Sequence, residues 1–284
     1  MPLHPFVLHR PDSAEEVIEL RSALGEDAAL YAGGTELLSA MKMGAISYEH
    51  LIDVKRVPGL REIFDQDGSV HIGATATHHE IENHPVVVDR LPSLAKLTHS
   101  VANVRVRVAG TIAGNLAFGE PHADPPALLM ALGGTVVVQG AKGRRSMDIA
   151  EFCVGAYETG LREDELIVEV DVPIPPPGSV ATYMKFQVLE RPSVGVACLG
   201  EIHDGRFTSP PRLVIGAVDE VPRLVDAAAI DGADIQDEAG MGAVCDAASR
   251  AVDPTDDLSG SADYKRHLVG VLARRVLRKL AGEP

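Results

Sequence analysis

Two short segments carry the residue types best suited to holding a charged ligand. The first in chain order, Ala32-Gly33-Gly34-Thr35-Glu36, follows the short apolar run Ala28-Ala29-Leu30-Tyr31 and opens the helical run Leu37 to Met43. A strand, a glycine turn and a helix start present backbone N–H groups and a positive dipole end to an anion. The second, Thr111-Ile112-Ala113-Gly114-Asn115, has almost no side-chain bulk. Small residues let a backbone approach a ligand closely, and N–H groups in such turns form nests for phosphate. Asn115 adds an amide that can donate and accept. An acidic-polar turn follows, Glu120 to Pro126, with the carboxylate of Asp124 ahead of tandem prolines. The prolines start a helix, Ala127 to Leu132, with proline in its first turn. Two nests suit a ligand with two phosphates. One small-residue turn alone is more often just a turn in a chain with 27 glycines, so the pairing carries the reading.

Other reactive residue types point away from metal chemistry. His78, His79 and His84 stand at a short helix start without a matching set of carboxylates or thiolates, and read as surface or capping histidines. Cys153, Cys198 and Cys245 are far apart and form no CxxC pair, so they read as buried core thiols. An iron–sulfur cluster normally needs four thiolates, which excludes one held by this chain alone. No residue is marked as a nucleophile, a general base or a metal ligand. The net charge of −15 argues against nucleic acid. No run of 18 uncharged apolar residues exists, so no membrane span is expected, and the N-terminus lacks the basic and apolar regions of a signal peptide.

The elements that must position these segments divide into three stretches. Residues 1–54 read as a small α/β unit. It has a strand at Pro5 to Leu8, a helix from Ser13 with Glu16 completing a capping box, the strand Ala28 to Tyr31, the helix to Met43 and a strand Leu51 to Val54. Strands alternating with helices favour a parallel sheet. In residues 55–176, Asp67-Gly68 between Ile63-Phe64 and Val70-His71-Ile72 signals a hairpin, and Val136 to Val138 and Leu166 to Val172 are strand-like. The proline run from Pro173 to Gly178 reads as a boundary. Residues 177–284 begin with strands at Val180 to Leu189, Val194 to Ile202 and Arg212 to Val218, with a turn at Gly205, and end in helices at about Ile235 to Val252 and Ser261 to Leu280. Leu268, Leu272, Val276 and Leu280 give the last helix one apolar face.

The segments YAGGTELLSAMK and TIAGN resemble the two phosphate-binding motifs of FAD subunits in molybdenum hydroxylases, the family of xanthine dehydrogenase and aerobic carbon monoxide dehydrogenase. The resemblance continues through ATATHHEIENHP, YMKF, RLVIGAV and DDLSGSADYKRHLVGVLARRVL, and so spans nearly the whole chain. It implies an α+β protein with the FAD-binding fold of the vanillyl-alcohol oxidase type, built of a small α/β and a mixed α+β subdomain. A C-terminal domain of antiparallel strands and then helices would follow. It also implies non-covalent FAD, with Leu30, Tyr31, Ala32, Gly33, Gly34, Thr35, Glu36 and Leu37, and Thr111, Ile112, Ala113, Gly114 and Asn115, around the pyrophosphate. Asp124 would bind the ribityl chain or nearby polar atoms, and Ile167 and Lys185 would make further flavin contacts. Family members usually carry glycine where this chain has Ala113, and often asparagine where it has Val108.

The family role implied is a cytoplasmic electron-transfer flavoprotein subunit. It would work beside an iron–sulfur small subunit and a molybdenum-cofactor large subunit, in a heterotrimer or its dimer, and pass electrons to an external acceptor. Two other classes remain open from the residues: a self-contained FAD-dependent oxidase or dehydrogenase of a small molecule, and a flavin-free scaffold whose two turns are empty. The first would need a base facing the flavin, and no residue marks one.

Overall fold

The computed structural model describes residues 3–282 apart from Leu189 and Gly205. The first unit alternates strand and helix: β1 (Val7–His9), α1 (Ala14–Leu24), β2 (Ala28–Tyr31), α2 (Leu37–Met43) and β3 (His50–Asp53). The sheet order is β1-β3-β2, with both pairings parallel as the alternation predicts. The first strand begins two residues later than expected. Ser13 caps α1 by accepting from the Glu16 N–H at 3.1 Å, but Glu16 reaches back to the Asp12 N–H rather than to that of Ser13. Val17, Ala28 and Ile52 then bury against Leu166 and Val168 of the next unit.

The second unit carries β4 (Ile63–Gln66), β5 (Ser69–Gly73), α3 (His78–Asn83), α4 (Pro85–Arg90), α5 (Pro92–Ser100), α6 (Val104–Arg107), α7 (Ile112–Phe118) and α8 (Pro125–Leu132). It continues with β6 (Thr135–Gly140), β7 (Gly143–Asp148), α9 (Ile149–Phe152), β8 (Cys153–Gly155), β9 (Glu158–Thr159) and β10 (Leu166–Pro173). The main sheet has the order β4-β5-β10-β6-β7 and is antiparallel throughout. Asp67 and Gly68 both take positive φ, 50° and 85°, as a two-residue hairpin turn requires. The sequence announces the start of α3 in HHE, but not β7, whose residues GRRSMD are mostly exposed at the sheet edge, or the short helices α4 to α6.

The third unit begins with β11 (Val180–Gln187), β12 (Pro192–Gly200), β13 (Ile202–His203), β14 (Arg206–Phe207), β15 (Arg212–Gly216) and β16 (Arg223–Leu224). It closes with α10 (Glu238–Arg250) and α11 (Ala262–Leu280). Its sheet runs β11-β12-β15-β16, antiparallel. The strand expected at Val180 to Leu189 ends at Gln187, and Leu189 lies outside the described residues. The run Val194 to Ile202 is two elements: β12 starts at Pro192, and Ile202 pairs in a separate ribbon with Phe207. The turn expected at Gly205 falls on a residue outside those described. Leu268, Leu272, Val276 and Leu280 are all buried, as the four-residue spacing demands.

Helix α8 joins the second and third units. All eight of its residues are buried, so it has no polar face. One side meets the second unit; another meets β11, β12 and β15. Arg212 of β15 donates to the carbonyls of Ala131 (3.0 Å) and Met130 (2.7 Å); the first is an acceptor that a helix end leaves open, and the second also accepts from the Gly133 N–H. Asp124 sits at the other end of α8, fixed by the same junction. Among the described residues no helix is long and apolar enough to cross a membrane.

Candidate functional site

The first ligand-type segment lies where β2 hands over to α2. Hydrogen bonding in α2 begins with the Leu38 N–H, which donates to Gly34 O at 3.0 Å. The N–H groups ahead of it belong to the unsatisfied first turn of a helix. Gly34 takes φ +68°, a conformation other residues rarely adopt. Gly33 has a different reason to be glycine. A methyl there would run into the Ala109 carbonyl oxygen and stand 2.8 Å from Gly110 Cα. The first segment is pressed backbone to backbone against Ala109 and Gly110, immediately ahead of the second, and Gly33 permits it.

The second segment is not a free turn. Residues 112–115 form the first turn of α7, and Thr111 is its N-cap, accepting from the Gly114 N–H at 3.1 Å. The Ile112 N–H donates to Ala76 O at 3.1 Å and is not offered to a ligand. The helix start is legible afterwards in Thr111, a favoured capping type, but the small residues around it read equally well as a turn. Across from it the His78 N–H donates to Gly110 O at 3.0 Å, which ties α3 to the junction of the two segments.

Asp124 is buried at the head of α8. Its carboxylate accepts from the Tyr183 hydroxyl at 2.7 Å and from Lys185 Nζ at 2.9 Å. Lys185 Nζ also donates to Ser100 O at 2.8 Å. Burial raises the Asp124 pKa above the ordinary carboxylate value, against the pull of Lys185 and Tyr183. Burial also pushes the Tyr183 phenol well above its ordinary value, reinforced by the Asp124 charge, so it remains a donor.

These parts surround one cavity of about 1210 Å³ between the three units. It exceeds the roughly 300–1,000 Å³ usual for a drug-sized ligand. Leu30, Ala32, Gly33, Gly34, Thr35, Glu36, Leu37, Thr111, Ala113, Gly114, Asn115, Asp124 and Ile167 line it, all expected from the sequence. Three expected residues do not. The Tyr31 ring packs beside Gly34, with Lys55 Nζ 3.7 Å above its centroid. Ile112 is fully buried in the core. Lys185 reaches Asp124 from behind the wall. The structure adds Glu120 and His122 from the acidic-polar turn, together with His78, Tyr157 and Arg191, which nothing in the sequence marks as ligand-facing. Arg191 bridges Glu36 (2.9 Å) and Glu120, and Tyr157 donates to Glu120 at 2.9 Å.

The lining fits a dinucleotide. Its two small-residue segments, each at a helix start, both stand on the cavity wall, and Asn115 Oδ1 is buried without a partner among the described residues. No group of three or more His, Cys, Asp or Glu among those residues is placed to hold a metal ion.

His78 is not the surface histidine its neighbours suggest. It is 2% exposed, and burial, aided by the Arg107 charge, lowers its pKa to about 4 against the pull of Glu82. The unfolded chain would protonate it near 6.5. Between these values the folded state binds fewer protons, so stability falls as pH drops from about 6.5 and the loss is complete below about 4. Across that window the wild type should lose about 3 kcal/mol more than His78→Gln, measured by urea unfolding at each pH. Parallel pH profiles would refute a buried neutral His78.

Residues 4–175 match the family described as the FAD binding domain in molybdopterin dehydrogenase, and residues 183–280 match the CO dehydrogenase flavoprotein C-terminal domain. The chain is 35% identical to the carbon monoxide dehydrogenase medium chain of Hydrogenophaga pseudoflava over 96% of both. It is 32% identical to the nicotine 6-hydroxylase medium subunit of Paenarthrobacter nicotinovorans over 94% of both. Among solved structures, a carbon monoxide dehydrogenase from Hydrogenophaga pseudoflava superposes with TM-score 0.95 at 34% identity, covering 99% of each chain. Quinoline 2-oxidoreductase from Pseudomonas putida 86 gives TM-score 0.93 at 29% identity, again over 99% of each.

Proposed function

The chain belongs to the family of FAD-binding medium subunits of molybdenum-containing dehydrogenases, and from that premise we propose that it carries electrons from a partner's iron–sulfur clusters to an external acceptor. It is an oxidoreductase subunit, its cofactor is FAD, and its α+β fold is that of the family. FAD, when bound, supplies the one- and two-electron redox chemistry that links the two sides.

The observation that carries this reading is the large cavity with both small-residue segments on its wall. Ala32 to Leu37 would hold the pyrophosphate through backbone N–H groups, and the start of α7 would add the Ala113 N–H and its helix dipole. Leu30 and Ile167 would supply apolar contact, and Asp124 an acceptor for a hydroxyl. Of the other expected residues, Tyr31, Ile112 and Lys185 would act from behind the wall. Lys185 would hold the Asp124 carboxylate in place rather than meet the flavin. Residues 1–54 and 55–176 would form the FAD-binding portion and 177–284 the C-terminal domain.

Relatives named for carbon monoxide and nicotine align over the whole chain, which supports a substrate chosen on another subunit. The partners would be an iron–sulfur small subunit and a molybdenum-cofactor large subunit, in a heterotrimer or its dimer. The cytoplasm suits three cysteines that remain thiols.

The purified chain should be yellow, release FAD and not FMN on denaturation, and contain no stoichiometric iron or molybdenum. Substrate should reduce its flavin only when the two partner subunits are added. Fast reduction by the isolated chain would instead establish a self-contained oxidase, and a folded chain that refuses FAD would end the flavoprotein reading of this cavity.

A further inference from the structure

The turn between α7 and α8 meets the third unit at three alternate residues. Glu120 accepts from Arg191. His122 Nε2 lies 3.6 Å from Asp257 Oδ2. Asp124 accepts from Tyr183 and Lys185. All three residues of the turn line the cavity; Asp257, Tyr183 and Lys185 stand behind it.

The middle point has the least obvious support. Asp257 sits in a closed loop ahead of α11, where its N–H donates to Gly260 O at 3.1 Å and the Gly260 N–H donates back at 3.2 Å. Its Oδ1 accepts from the Ser259 N–H at 2.7 Å, which fixes the direction of the carboxylate. Its Oδ2 pairs with Lys265 Nζ at 2.6 Å, and the same ammonium donates to Thr255 O at 2.9 Å. Lys265 is 2% exposed, so its charge must be paired where it sits. The spacing of Asp257, Gly260, Ser261 and Lys265 in the C-terminal segment therefore builds one object: a capped helix start with an anchored carboxylate beside His122.

We propose that Asp257, anchored by Lys265, is a positioning residue for the cofactor: it fixes His122, and through the turn it shapes the wall on which Glu120 and Asp124 stand. This rests on FAD occupying the cavity, as proposed above. The C-terminal segment thereby sets flavin affinity without touching the flavin.

The test uses the full chain stripped of FAD and titrated with FAD, followed by flavin fluorescence and by visible circular dichroism of the bound flavin. Asp257→Asn and His122→Gln should each weaken FAD at least fivefold and change the flavin dichroism. The double variant should be within twofold of the weaker single variant, because both act along one line. Asp263→Asn, an exposed change on the same helix, should match wild type. His122→Gln leaves the Lys265–Asp257 pair intact, so wild-type affinity in that variant overturns the proposal even if Asp257→Asn fails to fold. Wild-type affinity and dichroism in His122→Gln, or multiplicative losses in the double variant, would overturn the proposal. A wild-type chain that binds no FAD would instead overturn the reading beneath it.

Discussion

Gly33→Ala is expected to reduce FAD affinity at least 100-fold and to lower stability by about 1–3 kcal/mol, the usual range for overpacking. The nearest atoms the new methyl meets are all backbone: the Ala109 carbonyl oxygen, Gly110 Cα at 2.8 Å and Ala109 C at 2.9 Å. No rotamer relieves such a clash, since the atoms struck belong to the main chain. The strand–helix junction and the Ala109–Gly110 segment must separate, and these carry the two ligand-facing stretches. A 100-fold loss corresponds to about 2.7 kcal/mol. Gly34→Ala offers a contrast. It strains a left-handed backbone, but its methyl meets mainly the Tyr31 ring and Leu38 Cδ1, side-chain atoms that can move. Its damage should fall on stability more than on FAD. FAD titration together with thermal unfolding separates the two effects. Gly33→Ala with FAD affinity within tenfold of wild type would show that the close approach of Gly33 to Ala109 and Gly110 is not needed for binding.

Lys185→Met should cost about 3–5 kcal/mol, because it leaves the Asp124 carboxylate buried with only the Tyr183 hydroxyl. Attraction between the pair offsets a large desolvation cost, and removing one partner leaves that cost uncompensated. Lys185→Met paired with Asp124→Leu removes both charges, and should recover most of the loss if the cavity wall can pack. The single variant should also respond to acid in a defined direction. Asp124 already has a raised pKa from burial, and losing Lys185 raises it further. A folded pKa above the unfolded value near 3.8 means the folded state holds more protons, so Lys185→Met should regain stability relative to wild type as pH falls below 7. Urea unfolding from pH 7 to 5 measures both effects. A loss under about 1 kcal/mol, typical of an exposed pair, would show that water reaches this site.

Much of the scaffold was legible because its signals are local. Strand β2 and helix α2 occupy the residues the sequence assigns them, since an apolar run, a glycine pair and a helical run lie within a few positions of one another. Ser13 and Ser261 cap helices, and Asp67-Gly68 turns a hairpin, through contacts that reach three or four residues at most. The last helix buries the face its spacing defines. The many ordered motifs along the chain also sufficed to place it in its family.

Direction and partner were decided by the tertiary structure. Ile112 and Tyr31 belong to ligand-type segments, yet their side chains turn to the core and to the outer face of the segment. Local composition does not say which way each side chain of an irregular segment points. Lys185 pairs with a carboxylate 61 positions earlier, and Arg191 reaches 71 and 155 positions back to Glu120 and Glu36. His78 loses its water because α3 packs beneath Gly110, a fact absent from its neighbours HHE. Gly33 shows the division most plainly. The sequence marked it as glycine near a ligand; the fold shows that what comes too close for a side chain is the protein's own backbone. Periodicity and capping act along a few bonds of chain, whereas burial and charge pairing act through space, between segments that only the completed fold brings together.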